Sequence, residues 1–262
     1  MFSVSRSPQA PDLENISKTT RFGLIALATD MTSEGDFRRL LAGESALHVS
    51  RVAYANPTTS ENLARMAPKL TEAADLIVPG IPLAAICYSC TAASATIGDM
   101  KIAQSIHAAR PGVPVVTPTA AARSAFEALG VSRIAILTPY LPEASKSVGN
   151  FFENAGLEIT RLHGFGLADD REMARITRDA IINGALAVDG PNNEAIFLSC
   201  TGLPAIDTID EIERRTGKPV VTSNQASCWA MRRAAGMTSD DPIGFGRLFE
   251  LPFPQPVLGQ AS

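Results

Sequence analysis

The sequence predicts an α/β fold of two pseudo-symmetric lobes, each a mostly parallel four-stranded sheet flanked by helices. Three observations support this prediction. Short apolar segments alternate with helical segments along the chain, which is typical of parallel sheets. The order of these segments occurs twice, with a nearly constant separation of 110 residues. The tripeptide Ser-Cys-Thr also ends one apolar segment in each copy, at residues 89–91 and 199–201.

The first copy contains four apolar segments that are short enough for strands and are bounded by polar or turn residues. Continuous apolar segments of this length are typical of strands covered on both faces. The predicted strands are 21–28, 47–54, 83–90 and 114–117. Three helices are predicted between these strands. The first begins at Ser33 and ends before Gly43, the second carries Leu63, Met66 and Leu70, and the third runs from about Ser94 to Ala109.

The second copy repeats this alternation. Its predicted strands are 133–137, 157–162, 195–200 and 219–222. Its first two predicted helices run from about Glu143 to Asn154 and from Arg171 to Val188, the latter with an interruption at Gly184. A third helix follows Cys200 and extends up to Gly217, and a fourth runs from about Gln225 to Ala235. Glycine inside a helical pattern lowers helix propensity, which is the reason for placing an interruption at Gly184.

The two copies share a register as well as an order. Residues 47–52 match 157–162 at a shift of 110, and residues 114–117 match 219–222 at a shift of 105. This indicates a duplication, although parallel α/β sequences also resemble one another through composition alone. The predicted division is an N-terminal arm at 1–20, a first lobe at 21–117 plus 223–262, and a second lobe at 118–222. Ligands bind beyond the carboxyl ends of parallel strands, which places a site in the cleft between the lobes.

The composition limits the function classes. The 262 residues are 45% hydrophobic, enough for a large core, and the net charge of −4 argues against nucleic acid and anionic membranes as partners. No segment approaches the roughly 18 apolar residues that a membrane helix needs. The N-terminal arm lacks the basic start and apolar stretch of a secretory signal, so the prediction is a cytoplasmic protein. A homo-oligomer is one possible assembly.

The four cysteines are too few for a disulfide framework in a chain of this length. With three histidines and no second cysteine cluster, no metal site is predicted. No complete glycine-rich motif for a phosphate or dinucleotide is present, so no cofactor is predicted. Cys87 and Cys228 are interpreted as buried packing residues, whereas the symmetric positions of Cys90 and Cys200 predict a functional pair.

A thiol at a strand end just before a helix lies near the free N–H groups of the helix N-terminus. Both the N–H groups and the helix dipole favour the thiolate, so we expect the pKa of Cys90 and of Cys200 below about 8.5. The following N–H groups are expected to hold a carboxylate or a developing oxyanion. They belong to Thr91, Ala92, Thr201 and Gly202.

Three further residues are candidates for contacts with a ligand. Asp30 and Tyr140 occupy corresponding positions after the first strand of each lobe. Tyr140 could offer its hydroxyl to the ligand, and Asp30 could orient a thiol or pair with a substrate ammonium, although both residue types are also common in turns. Asn224 lies at the start of the last predicted helix, where its side chain either contacts a ligand or simply caps the helix.

These motifs together resemble those of a known group of enzymes. Ser-Cys-Thr in each half, Thr138-Pro139-Tyr140, and Pro-Val-Val-Thr before a helix are similar to the aspartate/glutamate racemase superfamily, in particular to its maleate cis–trans isomerase and arylmalonate decarboxylase branch. Residues 169–176 and 221–225 resemble the ectoine-utilisation protein EutA. The resemblance implies two α/β lobes with catalytic Cys90 and Cys200. It also implies that Tyr140 and the four N–H donors hold a substrate carboxylate.

The resemblance implies a cofactor-independent isomerase of a small carboxylate, by maleate-type cis–trans isomerisation or by amino-acid racemisation, with a possible role in ectoine catabolism. The decarboxylases have glycine at the first cysteine, so Cys90 favours an isomerase. Maleate isomerases usually have a neutral polar residue at Asp30, and its carboxylate favours an amino acid such as a diaminobutyrate derivative. The alternatives are a decarboxylase that protonates an enediolate from Cys200, and a non-catalytic carboxylate-binding protein.

Overall fold

The computed structural model describes residues 2–41, 43, 45–237 and 242–251, and it contains two four-stranded sheets. The strands are β1 Thr20–Leu27, β2 Ser45–Val52, β3 Ala85–Ser89, β4 Val115–Val116, β5 Arg133–Tyr140, β6 Glu158–Leu167, β7 Ala195–Leu198 and β8 Val220–Thr222. Their orders are β2-β1-β3-β4 and β6-β5-β7-β8, and every pairing is parallel. The predicted α/β fold of two similar sheets is therefore confirmed.

Helices connect the parallel strands, as a crossover connection requires. They are α1 Ser33–Leu41, α2 Ser60–Ala64, α3 Leu70–Asp75, α4 Thr91–Ile97, α5 Asp99–Ala109, α6 Pro118–Leu129, α7 Pro142–Asn154, α8 Asp170–Met173, α9 Arg178–Val188, α10 Ile209–Thr216 and α11 Ser223–Ala234. Four short 3₁₀ helices accompany them in the described residues, at Ile16–Lys18, Ala67–Lys69, Ile206–Thr208 and Arg247–Glu250.

The inner strands of each sheet are buried on both faces, which explains their continuous apolar sequences. All five residues of β3 and all four of β7 are buried. In the second lobe, the rings of Phe126, Phe152 and Phe197 pack edge to face, with centroids 5.2–6.1 Å apart, a favourable arrangement for aromatic pairs. The strand ends that precede the two Ser-Cys-Thr segments are therefore held in rigid surroundings.

Helix α6 was not among the predicted helices. Thr117 caps it by accepting a hydrogen bond from Ala120 N, Pro118 is its first residue, and Gly130 follows it with φ 68°. These are common start and stop signals. The alanine-rich sequence between them gives a weak apolar periodicity, because small residues do not mark one face strongly.

The predicted helix from Ser94 to Ala109 is wrong in its extent. The structure has two helices, because α4 begins directly after Cys90 and Gly98, at φ 90°, separates it from α5. That backbone conformation is open to glycine and disfavoured for other residues. The start of α4 at Thr91 places the first helical N–H groups next to the Cys90 thiol.

The predicted helix from Arg171 to Val188 is also two helices, and the break does not lie at Gly184. Residues 174–177 separate α8 from α9, and Gly184 lies inside α9. A Cβ atom at Gly184 would lie 2.9 Å from side-chain atoms of Leu137 and Phe165. Glycine is therefore present because α9 packs closely on the sheet, and not because the helix ends there. Strand β6 is longer than the predicted 157–162.

The termini of the chain bear on the predicted domain division. Residues 2–15 form no helix or strand, and helix α11 packs against α1 and β3 of the first sheet. The lobe boundaries stay predictions, and residues 238–241 and 252–262 of the assigned C-terminal segment lie outside the described residues. Within the described part of the chain, no helix has the length and apolar character that crossing a bilayer requires.

Candidate active site

A narrow pocket lies where the carboxyl ends of strands from both sheets meet. Its free interior has room for little more than one water molecule. Its walls are Leu27, Asp30, Met31, Tyr54, Thr58, Leu63, Cys90, Ala92, Tyr140, Asp170, Met173, Cys200, Thr201 and Gly202. The structure thus brings seven of the nine predicted site residues into one pocket, including both cysteines.

Cys90 follows β3 and is the N-cap residue of α4. Its carbonyl oxygen accepts hydrogen bonds from Ser94 N at 2.9 Å and from Ser94 Oγ at 2.8 Å. The first N–H groups of a helix have no acceptor within it, so those of Thr91 and Ala92 remain available beside the Cys90 thiol. The predicted position of Cys90, at the junction of a strand and a helix, is confirmed.

Cys200 follows β7, but no helix begins after it. A turn covers the next residues, and the 3₁₀ helix Ile206–Thr208 precedes α10. The expectation of a helix N-terminus next to this thiol is therefore wrong. The turn itself supplies N–H donors, since Gly202 N lies 3.2 Å from Cys200 Sγ and Leu203 N donates to the Cys200 carbonyl oxygen at 3.3 Å.

The expected lowering of the thiol pKa values is also wrong. Burial raises the pKa of Cys200 to about 11, against the opposing effects of hydrogen bonds from the Tyr140 hydroxyl and from the N–H groups of Gly202 and Leu203. Burial raises the pKa of Cys90 still further, opposed by the N–H of Ala93. Desolvation disfavours the thiolate more than the local donors favour it. Cys200 is the more acidic of the two thiols.

Asp30 lies at the pocket wall and also organises the start of α1. Its Oδ1 accepts hydrogen bonds from Thr32 N at 3.0 Å and Ser33 N at 2.9 Å. Burial raises the pKa of its carboxyl, against these donors and the charge of Arg51. The structure therefore shows Asp30 as a turn residue that also lines the pocket, and its predicted action on a thiol or a substrate ammonium stays a prediction.

A second carboxylate, that of Asp170, was missed by the sequence analysis. It accepts hydrogen bonds from Asn56 Nδ2 at 2.7 Å and from the Thr29 hydroxyl. Its backbone N–H donates to Asn56 Oδ1 at 3.2 Å. These bonds connect the segment after β6 with the segments after β1 and β2. The two adjacent aspartates at 169 and 170, just before a helix, were the sequence signal that could have drawn attention to it.

Most of the other wall residues that the sequence analysis missed come from the segments after the edge strands β2 and β6, whereas Leu27 ends β1 and Met31 follows it. Tyr54 and Thr58 follow β2, and their hydroxyl oxygens lie 2.7 Å apart. Met173 ends α8, after β6. Thr58 N also donates to Ala168 O at 2.9 Å, so the two segments close over the pocket together. No feature of their sequence distinguishes these residues from ordinary core and turn residues.

Two predicted site residues do not line the pocket. The Thr91 hydroxyl is fully buried and donates to Ser223 Oγ at 2.8 Å, the same oxygen that accepts from Cys200 N at 3.1 Å. Asn224 lies inside α11, whose N-cap is Thr222, and its Nδ2 donates to Asp36 Oδ2 at 2.8 Å and Thr201 O at 2.9 Å. Both side chains join the two lobes behind the pocket wall: the Thr91 hydroxyl and Asn224 Nδ2 have protein partners there, whereas the buried Asn224 Oδ1 has none.

The hydrogen bond from the Tyr140 hydroxyl leads to a prediction about the pKa of Cys200. In the variant Tyr140→Phe, the thiolate of Cys200 loses a donor, so its pKa rises further. Loss of one hydrogen bond of about 0.5–1.5 kcal/mol corresponds to a rise of about 0.4–1.1 pKa units. The pH dependence of the ultraviolet absorbance of the thiolate measures this. Tyr88→Phe is the matched control, because the Tyr88 hydroxyl contacts Met66 Sδ at 3.5 Å; equal titration curves for both variants would contradict the assignment.

Fold and pocket together define a class: two-lobed α/β proteins in which each lobe contributes one cysteine to a shared cleft. The family model described as arylmalonate decarboxylase matches residues 96–249. An arylmalonate decarboxylase from Bordetella bronchiseptica is 33% identical over 141 residues, which are 53% of this chain and 59% of that protein. A maleate isomerase from Nocardia farcinica is 24% identical over 87% of this chain and 94% of its own length.

A solved structure shows the same fold over nearly the whole chain. It is a cysteine-to-serine variant of Nocardia farcinica maleate cis–trans isomerase with a covalently bound succinylcysteine intermediate. It superposes with a TM-score of 0.81, at 23% identity, over 88% of this chain and 98% of that chain. Because the family model covers more than half of the sequence, the chain belongs to the arylmalonate decarboxylase family. The predicted branch of the racemase superfamily is thus confirmed, whereas special closeness to EutA is not shown.

Proposed function

We propose that the protein is a cofactor-independent isomerase that acts on a small carboxylate through Cys90 and Cys200. The observation that carries the proposal is the presence of one cysteine from each lobe in the wall of one narrow pocket. Two thiols can remove a proton from one side of a carbon and return one to the other side without a further co-reactant. Proton transfer by positioned side chains contributes typically 10²–10⁴-fold to a rate.

The more acidic thiol is the starting base in this proposal. The Cys200 thiolate takes the α-proton, forming an S–H bond, and the electron pair of the broken C–H bond moves into the carboxylate to give an enediolate. The Cys90 thiol then gives its proton to the same carbon and becomes the thiolate. The N–H of Ala92, which lines the pocket at the start of α4, holds the developing negative charge. The reverse direction begins at Cys90, so protons and electrons balance over the cycle.

The charges of the pocket favour an amino acid as the substrate. Two carboxylates, Asp30 and Asp170, line the pocket, and its wall residues include no lysine, arginine or histidine. A dicarboxylate dianion would be repelled there, whereas a substrate ammonium would pair with a carboxylate whose burial is otherwise unfavourable. An α-amino acid or a diamino acid, such as one derived from ectoine, has this charge.

A second candidate is cis–trans isomerisation of a maleate-like substrate. It is favoured by the succinylcysteine in the Nocardia farcinica enzyme, which has the same fold. In that reaction one thiolate adds to the double bond, the adduct rotates about the resulting single bond, and the thiolate leaves again. A decarboxylase is the third candidate, because an arylmalonate decarboxylase is 33% identical over part of the chain. These candidates use the same cysteines and differ in what the pocket must bind.

Proton exchange in D₂O separates these candidates. The wild-type protein is incubated with aspartate, 2,4-diaminobutyrate, maleate and an arylmalonate, and products are analysed by NMR and chiral chromatography. We expect deuterium at the α-carbon of an amino acid together with inversion. Fumarate from maleate with no amino-acid exchange would support the second candidate and contradict the first. CO₂ release from the malonate that persists in Cys90→Gly would support a decarboxylase. No exchange with any compound would favour a carboxylate-binding protein.

A further inference from the structure

The turn that follows Cys200 is held by hydrogen bonds from the first lobe. Thr32 Oγ1 donates to Gly202 O at 2.9 Å, and Asn224 Nδ2 donates to Thr201 O at 2.9 Å. Thr32 lies just before α1, and Asn224 lies in the first turn of α11. Two adjacent carbonyl groups of one short turn are thus fixed by two side chains that are distant from it in sequence.

Fixing these carbonyl groups also fixes the next N–H groups, because a peptide unit is planar and its C=O and N–H point in opposite directions. The Thr201 carbonyl shares its peptide unit with the N–H of Gly202, which lies 3.2 Å from Cys200 Sγ. The Gly202 carbonyl shares its unit with the N–H of Leu203, which donates to the Cys200 carbonyl oxygen at 3.3 Å and so closes the turn. The peptide units on both sides of Gly202 are therefore held from behind, each by one side chain, and this holds the Gly202 N–H toward the Cys200 sulfur.

Asp36 completes this arrangement by fixing Asn224. Its Oδ2 accepts the other Nδ2 hydrogen of Asn224 at 2.8 Å, so both amide hydrogens have defined directions. All three side chains are buried, with 8% of Thr32, 8% of Asp36 and 2% of Asn224 exposed. Water therefore does not compete for these bonds, and a lost partner is poorly replaced.

On the Cys90 side of the pocket, the N–H groups that follow the cysteine are held by a helix and not by side chains from elsewhere. There the N–H groups after the cysteine belong to α4, and the bond from Ser94 N to Cys90 O holds the first helical turn. After Cys200, five residues of turn and loop precede the next helical segment, Ile206–Thr208. A turn of this kind keeps its N–H groups aligned through external anchors, which are Thr32 and Asn224.

We propose that Thr32 and Asn224 are positioning residues that hold the two peptide units flanking Gly202 and so aim its N–H at the Cys200 sulfur, with Asp36 orienting Asn224. The inference deepens the proposed function, since it concerns the acidity of one of its two thiols. None of the three side chains lines the pocket among its described wall residues. They act on the reaction through the turn and through contact between the lobes.

The pH profile of Cys200 alkylation tests the proposal without any substrate. The full-length protein is exposed to iodoacetamide in brief pulses between pH 7 and 12.5, a range that spans the Cys200 pKa of about 11, and mass spectrometry follows the peptide that contains Cys200. In Thr32→Val and in Asn224→Leu we expect the midpoint to move up by about 0.4–1.1 pH units, because each variant releases one of the two peptide units that align the Gly202 N–H with the thiolate. Thr32→Ser keeps the hydroxyl and should restore the wild-type midpoint. The other titratable groups of the pocket, Cys90, Asp30, Tyr54, Tyr140 and Asp170, are unchanged.

Thr71→Val is the matched control, because the Thr71 hydroxyl donates to Ser105 O at 2.7 Å, between α3 and α5 and away from the pocket. An unchanged midpoint in Thr32→Val, or an equal shift in Thr71→Val, would overturn the proposal. If Asn224→Leu does not fold, the comparison of Thr32→Val with Thr32→Ser tests the proposal by itself. The outcome is separate from that of the proposed function: a shifted midpoint with no exchanged substrate would retain the positioning role and reject the isomerase.

Discussion

Replacing Cys200 or Cys90 by serine is expected to lower turnover about a thousandfold or more while leaving the fold intact. A serine hydroxyl is far less acidic than a thiol, so it cannot serve as the base, and the loss falls in the range of positioned proton transfer. Each variant should keep one partial reaction. Cys200→Ser still removes the proton that faces Cys90, so one enantiomer exchanges deuterium without inverting, and Cys90→Ser shows the same behaviour with the other enantiomer.

The control for this prediction is Cys87→Ser. Cys87 lies on β3, three residues before Cys90, is fully buried and does not line the pocket. Turnover per folded molecule should equal that of the wild type, with folding verified by circular dichroism. Near-wild-type turnover in either Cys90→Ser or Cys200→Ser would show that the reaction does not use two thiols. Complete loss of exchange with both enantiomers in both variants would also contradict the partial reactions.

The second large effect is expected in stability, in the variant Asp36→Asn. Burial raises the pKa of Asp36 from 3.8 to about 7, against the Asn224 hydrogen bond and the charge of Arg39. The folded protein thus holds a proton that the unfolded chain releases near pH 4, so the free energy of unfolding falls as pH rises from about 4 to about 7. The difference of about three pKa units corresponds to roughly 4 kcal/mol at most.

Asparagine at this position has no proton to release and can still accept from Asn224 through its carbonyl oxygen. Urea denaturation at pH 4.5 and at pH 8 should show that the stability of Asp36→Asn, relative to wild type, is higher at the higher pH. Glu34→Gln on the same helix is the control, since its carboxylate is partly exposed in surface ion pairs with Arg38 and Arg51, and such pairs contribute little. A parallel pH dependence in wild type and Asp36→Asn would rule out a buried proton at this site.

The sequence was sufficient for the sheets and for the two cysteines, because these depend on short-range patterns. Apolar runs identify the inner strands, and the repeated Ser-Cys-Thr marks corresponding strand ends. The aspartate pair at 169 and 170 marks a polar segment, but the sequence does not place Asp170 or Tyr54 in the pocket, since they follow the edge strands β2 and β6 and reach it only when the lobes pack. No local pattern encodes that approach.

The thiol acidity shows a second kind of limit. The sequence correctly placed Cys90 before a helix, and a helix N-terminus does favour the thiolate. The burial that outweighs it comes from the tertiary structure, which leaves 6% of Cys90 and 8% of Cys200 exposed. The sequence interpretation of Asn224 was incomplete for a related reason. Its partners, Asp36 and Thr201, are distant in sequence, so neither a helix-capping role nor a ligand-contact role could include them.

The different surroundings of the two cysteines affect how the forward and reverse reactions compare. Cys90 precedes α4, whereas Cys200 precedes a turn that the first lobe anchors. Two enantiomers in solution have equal free energies, so for a racemisation kcat/KM must be the same in both directions whatever the protein does. Unequal thiols therefore lead to unequal resting populations, and one enantiomer should combine a higher kcat with a proportionally higher KM. For a racemisation, two similar lobes would thus form a site that handles the two enantiomers at different rates and affinities.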